Sequence, residues 1–547
     1  MKVNYGFQNY PESISRDVDI PDWSLPQMLA ESVRKHPDAE AMSFYGQKTT
    51  YKQLADAVSL FASRLQQAGI QKGDRVAIML PNSPHFVISY YGILTAGAVV
   101  TQVNPMLVER ELAHILQDSG AKAIVALDAV YPRVKAVESE SDVSTVVVVS
   151  LQPSGVSFAP DVTFEEFLEQ GKTVPVTPVS VDPAEDLAIL QYTGGTTGRS
   201  KGAMLTHRNL LANVIQSYEF FKDEFRPGQD RCLTVIPLFH VFGMTSCMNL
   251  TLYTGSSLVL LPRFDIKEVL ETIQREKPTT FPGVPTMYVA LTNYPGVESY
   301  GVNSIRTCNS GSAPMPVELL REFERKTGAK ILEGYGLSEA SPTTHCNPPF
   351  TERKPGSVGV GFPSTEYKIV DTETGEHEMP VGELGELVVR GPQVMKGYWN
   401  MPEETAKTLR DGWLYTGDIA KMDEDGYLYI MDRKKDLIIA SGYNVYPREI
   451  EEVIYEHPAV KEAAVVGVAD PYRGETVKAF IVLKDGASCT EEEMSAYCKA
   501  NMAPYKVPKL IEFRTELPKT NVGKVLRRTL RETEAEAAAG SQGEGKA

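Results

Sequence analysis

Between residues 75 and 150 the chain alternates short apolar runs with stretches of helical period, an order that a parallel sheet covered by helices satisfies. VAIML, AVVTQV, AIVAL and TVVVV read as strands, with helices at 84–96 and 109–118 among them. The alternation resumes further on, with strands at 232–236, 257–261, 279–281, 305–309 and 330–333 and helices such as 266–276 and 316–326. Two doubly wound βα units are therefore expected in the first two-thirds of the chain, giving an α/β fold. Ahead of them, 23–65 is helical apart from a short strand, AMSFYG, and a turn.

After residue 383 the rhythm changes. GELVVRG, GWLYTGDIA and DGYLYIMDR are short strands separated by turns, as a small distorted β-barrel requires. The dense charge run 432–436, Asp-Arg-Lys-Lys-Asp, then precedes a new apolar strand and reads as a hinge. Beyond it a helix at 448–457, strands AAVVGV and VKAFIVL, a helix from Glu491 and the strand LIEFR make a compact α+β module. The expected division is a large N-terminal domain over 1–431, a hinge at 432–436, a small mobile C-terminal domain over 437–531, and a disordered low-complexity tail over 532–547. A chain of 547 residues agrees with more than one domain, because single cores stop growing at roughly 250 to 300 residues.

Two windows, 76–108 and 232–262, contain no Asp, Glu, Lys or Arg. Each is long enough for a membrane span, but Pro81, Pro84 and Gly92 interrupt the first, and Pro237, His240, Gly243 and Gly255 the second. Buried strand and helix is the better reading, and the second window could wall an apolar ligand. A net charge of −16 argues against nucleic-acid partners. Six scattered cysteines without metal-ligand spacing, and a start without an apolar signal segment, favour a reducing, cytoplasmic setting.

The stretch with the clearest chemistry is YTGGTTGRSKG, residues 192–202. Its glycines let backbone N–H groups converge on one point, its threonine hydroxyls add donors, and Lys201 supplies positive charge, so it suits an anionic phosphate. It follows the apolar run 187–190 and precedes a helix-like stretch at 208–221. The spacing is not that of a Walker A loop, and taken alone such a turn is often only a connection.

The whole string resembles the phosphate-binding signature of the adenylate-forming enzymes, the superfamily of acyl-CoA synthetases, peptide adenylation domains and luciferases. The family's other signatures follow in the family's order, from GDRVAIMLPNS to PKTNVGKVLRR, so the resemblance spans nearly the whole chain. It implies a phosphate site at Thr193, Gly194, Gly195, Thr196, Thr197, Gly198 and Lys201. It implies an adenine slot at Gly311, Ser312 and Ala313 and at Gly334, Tyr335 and Gly336, with Tyr335 stacked on the purine, although a tyrosine is more often a core residue. Ser338, where the family usually has threonine, would donate to the α-phosphate, and Glu339 would hold Mg²⁺. Asp418 and Arg433 would take the ribose hydroxyls. His240, in IPLFHVFG, would position the acid, although a lone histidine in an apolar window is usually a core residue. Lys524 would serve acyl-adenylate formation.

The implied reaction uses ATP, Mg²⁺ and CoA. A fatty acid becomes an acyl-adenylate, and a CoA thiol then takes the acyl group. In the family the C-terminal domain turns about a hinge matching Lys435, withdrawing Lys524 and presenting the loop around Gly442. Arg473, Lys506, Lys509 and Arg527 are candidates for the CoA phosphates.

The strings look most like those of bacterial long-chain fatty acid CoA ligases. A tryptophan gate that long-chain members sometimes carry is replaced by Phe242-Gly243-Met244, which keeps medium-chain and aryl acids such as 4-coumarate in view. A stand-alone enzyme that loads a carrier-protein thiol, and a nucleotide-binding homologue without catalysis, are also compatible with these motifs. An apolar acid substrate also raises the expectation of peripheral membrane contact.

Overall fold

The computed structural model describes residues 10–152, 157–193, 200–434, 436–440, 443–470, 474–520 and 523–534. The first alternating region forms an eight-stranded sheet. Its strands run in the order 397–398, 201–206, 187–193, 99–102, 75–79, 121–127, 145–149 and 162–163. Most pairs are parallel, as the apolar runs and intervening helices require. One expectation is corrected. The phosphate-type loop does not lead from a strand straight into a helix, because the strand Lys201–Thr206 intervenes and pairs antiparallel with Leu187–Thr193. The helix His207–Phe221 starts only after it, where Thr206 and Asn209 cap its first turn reciprocally. Too short to show a period of its own, KGAMLT reads as loop until its partner strand is known.

The second region is a nine-stranded sheet, ordered 360–361, 343–346, 330–336, 307–310, 280–283, 231–234, 257–260, 40–44 and 47–50. One core joins it to the first sheet and to a five-stranded antiparallel sheet built from 366–433. Val76 and Ile78, Leu258 and Leu260, and Leu387 and Val389 belong to that single cluster. Asn82, just after strand Arg75–Met79, ties the two large sheets through polar groups. Its Nδ2 donates to the carbonyls of Thr234 and Ile236 at 3.2 and 3.0 Å, and its Oδ1 accepts from Leu238 N at 2.7 Å. The chain from Thr234 to Leu238 is thereby fixed just before it reaches His240. The charge-free window beyond folds inside the protein, through the π-helix Gly243–Asn249 and the helix Leu250–Tyr253. Among the described residues, no helix is long and apolar enough to cross a membrane.

The C-terminal module has its own sheet and core. Strands 443–445, 438–440, 474–483 and 460–470 are neighbours in that order, 510–513 lies parallel to 474–483, and Val465, Ile481 and Met494 pack between sheet and helices. The last helix continues through Glu534, which accepts from Lys478 Nζ at 2.6 Å. The residues 532–534 therefore belong to the folded module rather than to a disordered tail, and 535–547 lie outside the described residues.

Buried charges dock this module on the large domain. Arg448, in the helix Pro447–Tyr455, donates through Nη1 to Ile430 O at 2.5 Å, and its Nη2 lies 3.6 Å from Glu333 Oε1. Arg527 reaches Asp432, in the strand Leu428–Arg433, at 3.2 Å, and is itself held within the module by Glu451 at 2.7 Å. Burial pushes the Glu333 carboxyl up to about 7, against the pull of Arg448, and Asp432 up to about 6, against that of Arg527. Gly523 completes the contact. It has φ +74°, and a Cβ there would fall 2.2 Å from Thr286 Oγ1 of the large domain.

Two substitutions test these ties. Asn82→Leu strands three buried backbone groups and is expected to cost about 2–3 kcal/mol, read as a lower thermal midpoint. Arg448→Met leaves Glu333 buried without its cation, a loss of about 3 kcal/mol. Because Glu333 is raised from 4.5 to about 7 on folding, its burial costs little below pH 4.5 and increasingly more up to pH 7. The melting deficit of Arg448→Met should therefore be larger at pH 8 than at pH 5. An equal deficit at both would contradict the assignment.

Candidate active site

Strands of both large sheets deliver their carboxyl ends to one cavity of about 620 Å³, which the antiparallel sheet and the C-terminal module also wall. Thr193 and Lys201 line it from the hairpin, His240 and Phe242 from the loop after 231–234, and Gly311 and Ser312 from the turn after 307–310. Gly334, Tyr335, Gly336, Ser338 and Glu339 supply a further wall, and Arg433 and Lys524 complete it. Among the residues expected from the sequence, Ala313 is next to this wall without lining it, and Asp418 stands behind it. Gly194 to Gly198, Lys435 and Gly442 lie outside the described residues. The sharp return at Gly336 needs glycine, since a Cβ there would sit 2.2 Å from Pro342 O.

A short polar chain organises one side. Asp418 and Arg433 are partners across an antiparallel ladder, and Arg433 Nε lies 2.6 Å from Asp418 Oδ1. The Tyr335 hydroxyl donates to Asp418 Oδ2 at 2.5 Å, which fixes the ring at the cavity wall. Burial and the Asp418 charge hold the Tyr335 phenol well above its usual range, and Asp418 raises Arg433 in turn. Each carboxylate oxygen keeps lone-pair capacity for a further donor, such as a sugar hydroxyl.

His240 is held by a hydrogen bond from Phe242 N to its Nδ1 at 3.2 Å. That bond leaves the proton of the neutral ring on Nε2. Burial first, and the nearby Lys524 charge second, lower its pKa to about 4, so the ring is a neutral donor at pH 7. Burial and the charge of Arg433 bring Lys524 down to about 8, while Asp418 opposes them. The turn that presents Lys524 is closed by Thr520 N donating to Lys524 O at 2.7 Å and Lys524 N donating to Thr520 Oγ1 at 3.1 Å.

Glu339 accepts from the Tyr398 hydroxyl at 2.7 Å, and no cluster of three or more His, Cys, Asp and Glu that could hold a metal occurs among the described residues. Glu339, one carboxylate on the cavity wall, would fit Mg²⁺ that keeps several waters and takes its other ligands from phosphates. Lys201 pairs with Glu404 at 2.6 Å and lies 5.3 Å from the Tyr398 ring centroid.

Sequence reasoning missed Tyr398, Glu404, Lys407 and Arg410. They lie in GYWNMPEETAKTLR, whose composition gives no sign that its first two residues pair with strand 201–206. Of the residues expected to meet the CoA phosphates, Arg527 is paired with Glu451 and Asp432, and Lys506 with Glu449 at 2.5 Å. Lys509 is exposed, and Arg473 lies outside the described residues.

Comparison with known proteins agrees with this geometry. Residues 29–399 match the family model of the AMP-binding enzymes, and 449–524 match that of the AMP-binding enzyme C-terminal domain. The long-chain-fatty-acid–CoA ligase of Bacillus subtilis strain 168 is 49% identical over 96% of this chain and 97% of its own length. Among solved structures, ATP-bound MatB from Rhodopseudomonas palustris superposes with a TM-score of 0.84 at 34% identity, covering 93% of this chain and 99% of that one. The anthranilate CoA ligase AuaEII with anthranoyl-AMP gives 0.87 at 29% identity, covering 95% and 99%. In sequence and in fold, the chain belongs to the family of AMP-binding enzymes.

Proposed function

We infer that the protein activates a long-chain fatty acid with ATP and transfers the acyl group to CoA. The observation that carries the reading is the convergence of Lys524, His240, Ser338 and the Asp418–Arg433 pair on one cavity. The similarity to a long-chain-fatty-acid–CoA ligase of nearly the same length supports the substrate. The apolar residues Phe221, Val241, Phe242, Leu250 and Phe362, which line the same cavity as His240, support it too.

The chemistry is an encounter of anions. A carboxylate oxygen attacks the α-phosphorus, the bond to pyrophosphate breaks, and an acyl-adenylate remains. A CoA sulfur then attacks the carbonyl carbon, its proton is released, and AMP leaves. His240 Nε2–H orients the carboxylate. Lys524 neutralises charge at the α-phosphate, where a desolvated cation acts far more strongly than in water. Asp418 and Arg433 hold the ribose, and Tyr335 stacks on the adenine. Mg²⁺, held by Glu339, would supply further charge compensation at the phosphates. Because Lys524 belongs to the small domain, rotation at 432–436 clears the site for the thiol.

The test is Mg²⁺- and CoA-dependent AMP release from ATP across acids from acetate to palmitate and oleate, with 4-coumarate alongside. A maximum at long chains, with acyl-CoA as product, is expected, and a maximum at aryl acids would overturn the substrate. No AMP release with any of these acids would overturn the reading. The pH dependence follows from Lys524, whose cationic form prevails below about pH 8. The kcat/KM for ATP in adenylate formation should fall above that pH, and Lys524→Arg should move the limb upward. Thioester formation from supplied acyl-adenylate should lack the limb, and its presence there would contradict the role.

A further inference from the structure

One carboxylate grips two lysines of the cavity wall. Glu404 Oε2 lies 2.6 Å from Lys201 Nζ, and Glu404 Oε1 lies 2.8 Å from Lys407 Nζ. The two lysines are 203 and 3 residues from Glu404 in sequence, so the second contact is a local helix pair and the first a tertiary one. Lys201 adjoins the phosphate-type loop, and its side chain is only 16% exposed, against 34% for Glu404. The same wall continues through Thr408 and Arg410, and Arg410 Nε donates to Lys407 O at 3.0 Å. Two ammonium groups held by two oxygens of one anion are in the arrangement that a phosphate group would take up.

We propose that Glu404 is an internal competitor for the cations that receive the triphosphate, and that Lys407 is the second of those cations. The proposal rests on the ATP-consuming reading of the site. The physical argument is one of exchange. While Glu404 holds Lys201 and Lys407, their combined charge offered to an incoming anion is reduced, and Glu404's own charge repels that anion. When phosphates bind, the lysines turn to them and Glu404, on the rim of the cavity, moves toward water. When the α-phosphate bond has broken, the two ion pairs reform as pyrophosphate leaves. Glu404 thus weakens the hold on pyrophosphate and lowers the chance that the acyl-adenylate is converted back. Lys201 also lies against the Tyr398 ring, and the Tyr398 hydroxyl holds Glu339, so the same exchange reaches the carboxylate on the other side of the phosphates.

Glu404→Gln keeps the shape and removes the charge. In the full-length enzyme with palmitate, it should bind inorganic pyrophosphate about threefold more tightly, with a lower KM for ATP, the size expected for loss of a half-exposed ion pair. Lys407→Gln should move both quantities the other way. The readouts are pyrophosphate binding by calorimetry and pyrophosphate inhibition of adenylate formation. Damage to folding would weaken binding in both variants, so opposite signs exclude a merely structural effect. Unchanged or weaker pyrophosphate binding in Glu404→Gln, or unchanged binding in Lys407→Gln, overturns the proposal. Failure of the wild-type enzyme to exchange pyrophosphate with ATP for any acid overturns the ATP-consuming reading itself, whereas normal exchange with identical constants in both variants overturns only the role of Glu404.

Discussion

A lysine from one domain completes a cavity that otherwise belongs to another, and that insertion is what the remaining architecture supports. Lys524 loses most of its water there, which lowers its pKa to about 8 and makes its charge effective on a phosphate. The insertion requires the small module to sit in one place. Arg448 and Arg527 hold it there through Glu333 and Asp432, and Gly523 permits the close approach to Thr286. Glu333 and Asp432 have raised pKa values because burial outweighs their partners, so these ties are strained carboxylates rather than fully compensated pairs. Contacts of that kind can be exchanged, as the proposed rotation at 432–436 would require.

The large domain prepares the rest before the module arrives. The tether of Asn82 fixes the chain ahead of His240, and the hydrogen bond from Phe242 N fixes the tautomer of the ring. Tyr335, Asp418 and Arg433 come from two sheets and form one polar chain, so this side of the cavity, proposed to take the ribose, is set by strand register rather than by a loop. Lys201 is balanced by Glu404 and Glu339 is held by Tyr398, so the charged groups proposed to meet the phosphates already have partners.

Much of this is readable in the sequence, for physical reasons that can be named. The parallel strands are legible because buried strands are continuous apolar runs bounded by helices, as at VAIML and TVVVV. The residues of the cavity are found through the family's motifs, since nothing in the composition around Lys524 distinguishes it from a surface lysine. The strand 201–206 is hidden because its partner, not its own pattern, makes it a strand. Tyr398 and Glu404 are hidden because their partners lie 59 and 203 residues away. The partners of Arg527 are hidden for the same reason, as Glu451 and Asp432 are 76 and 95 residues from it.

The measurement that bears most directly on the account compares the two half-reactions in Lys524→Ala. Formation of acyl-adenylate from ATP and palmitate should fall by roughly a hundredfold or more, the scale of losing a positioned charge at a transition state. Attack of CoA on supplied acyl-adenylate should retain most of its rate. An equal loss in both half-reactions would contradict the claim that this lysine is brought in for one step and withdrawn for the other.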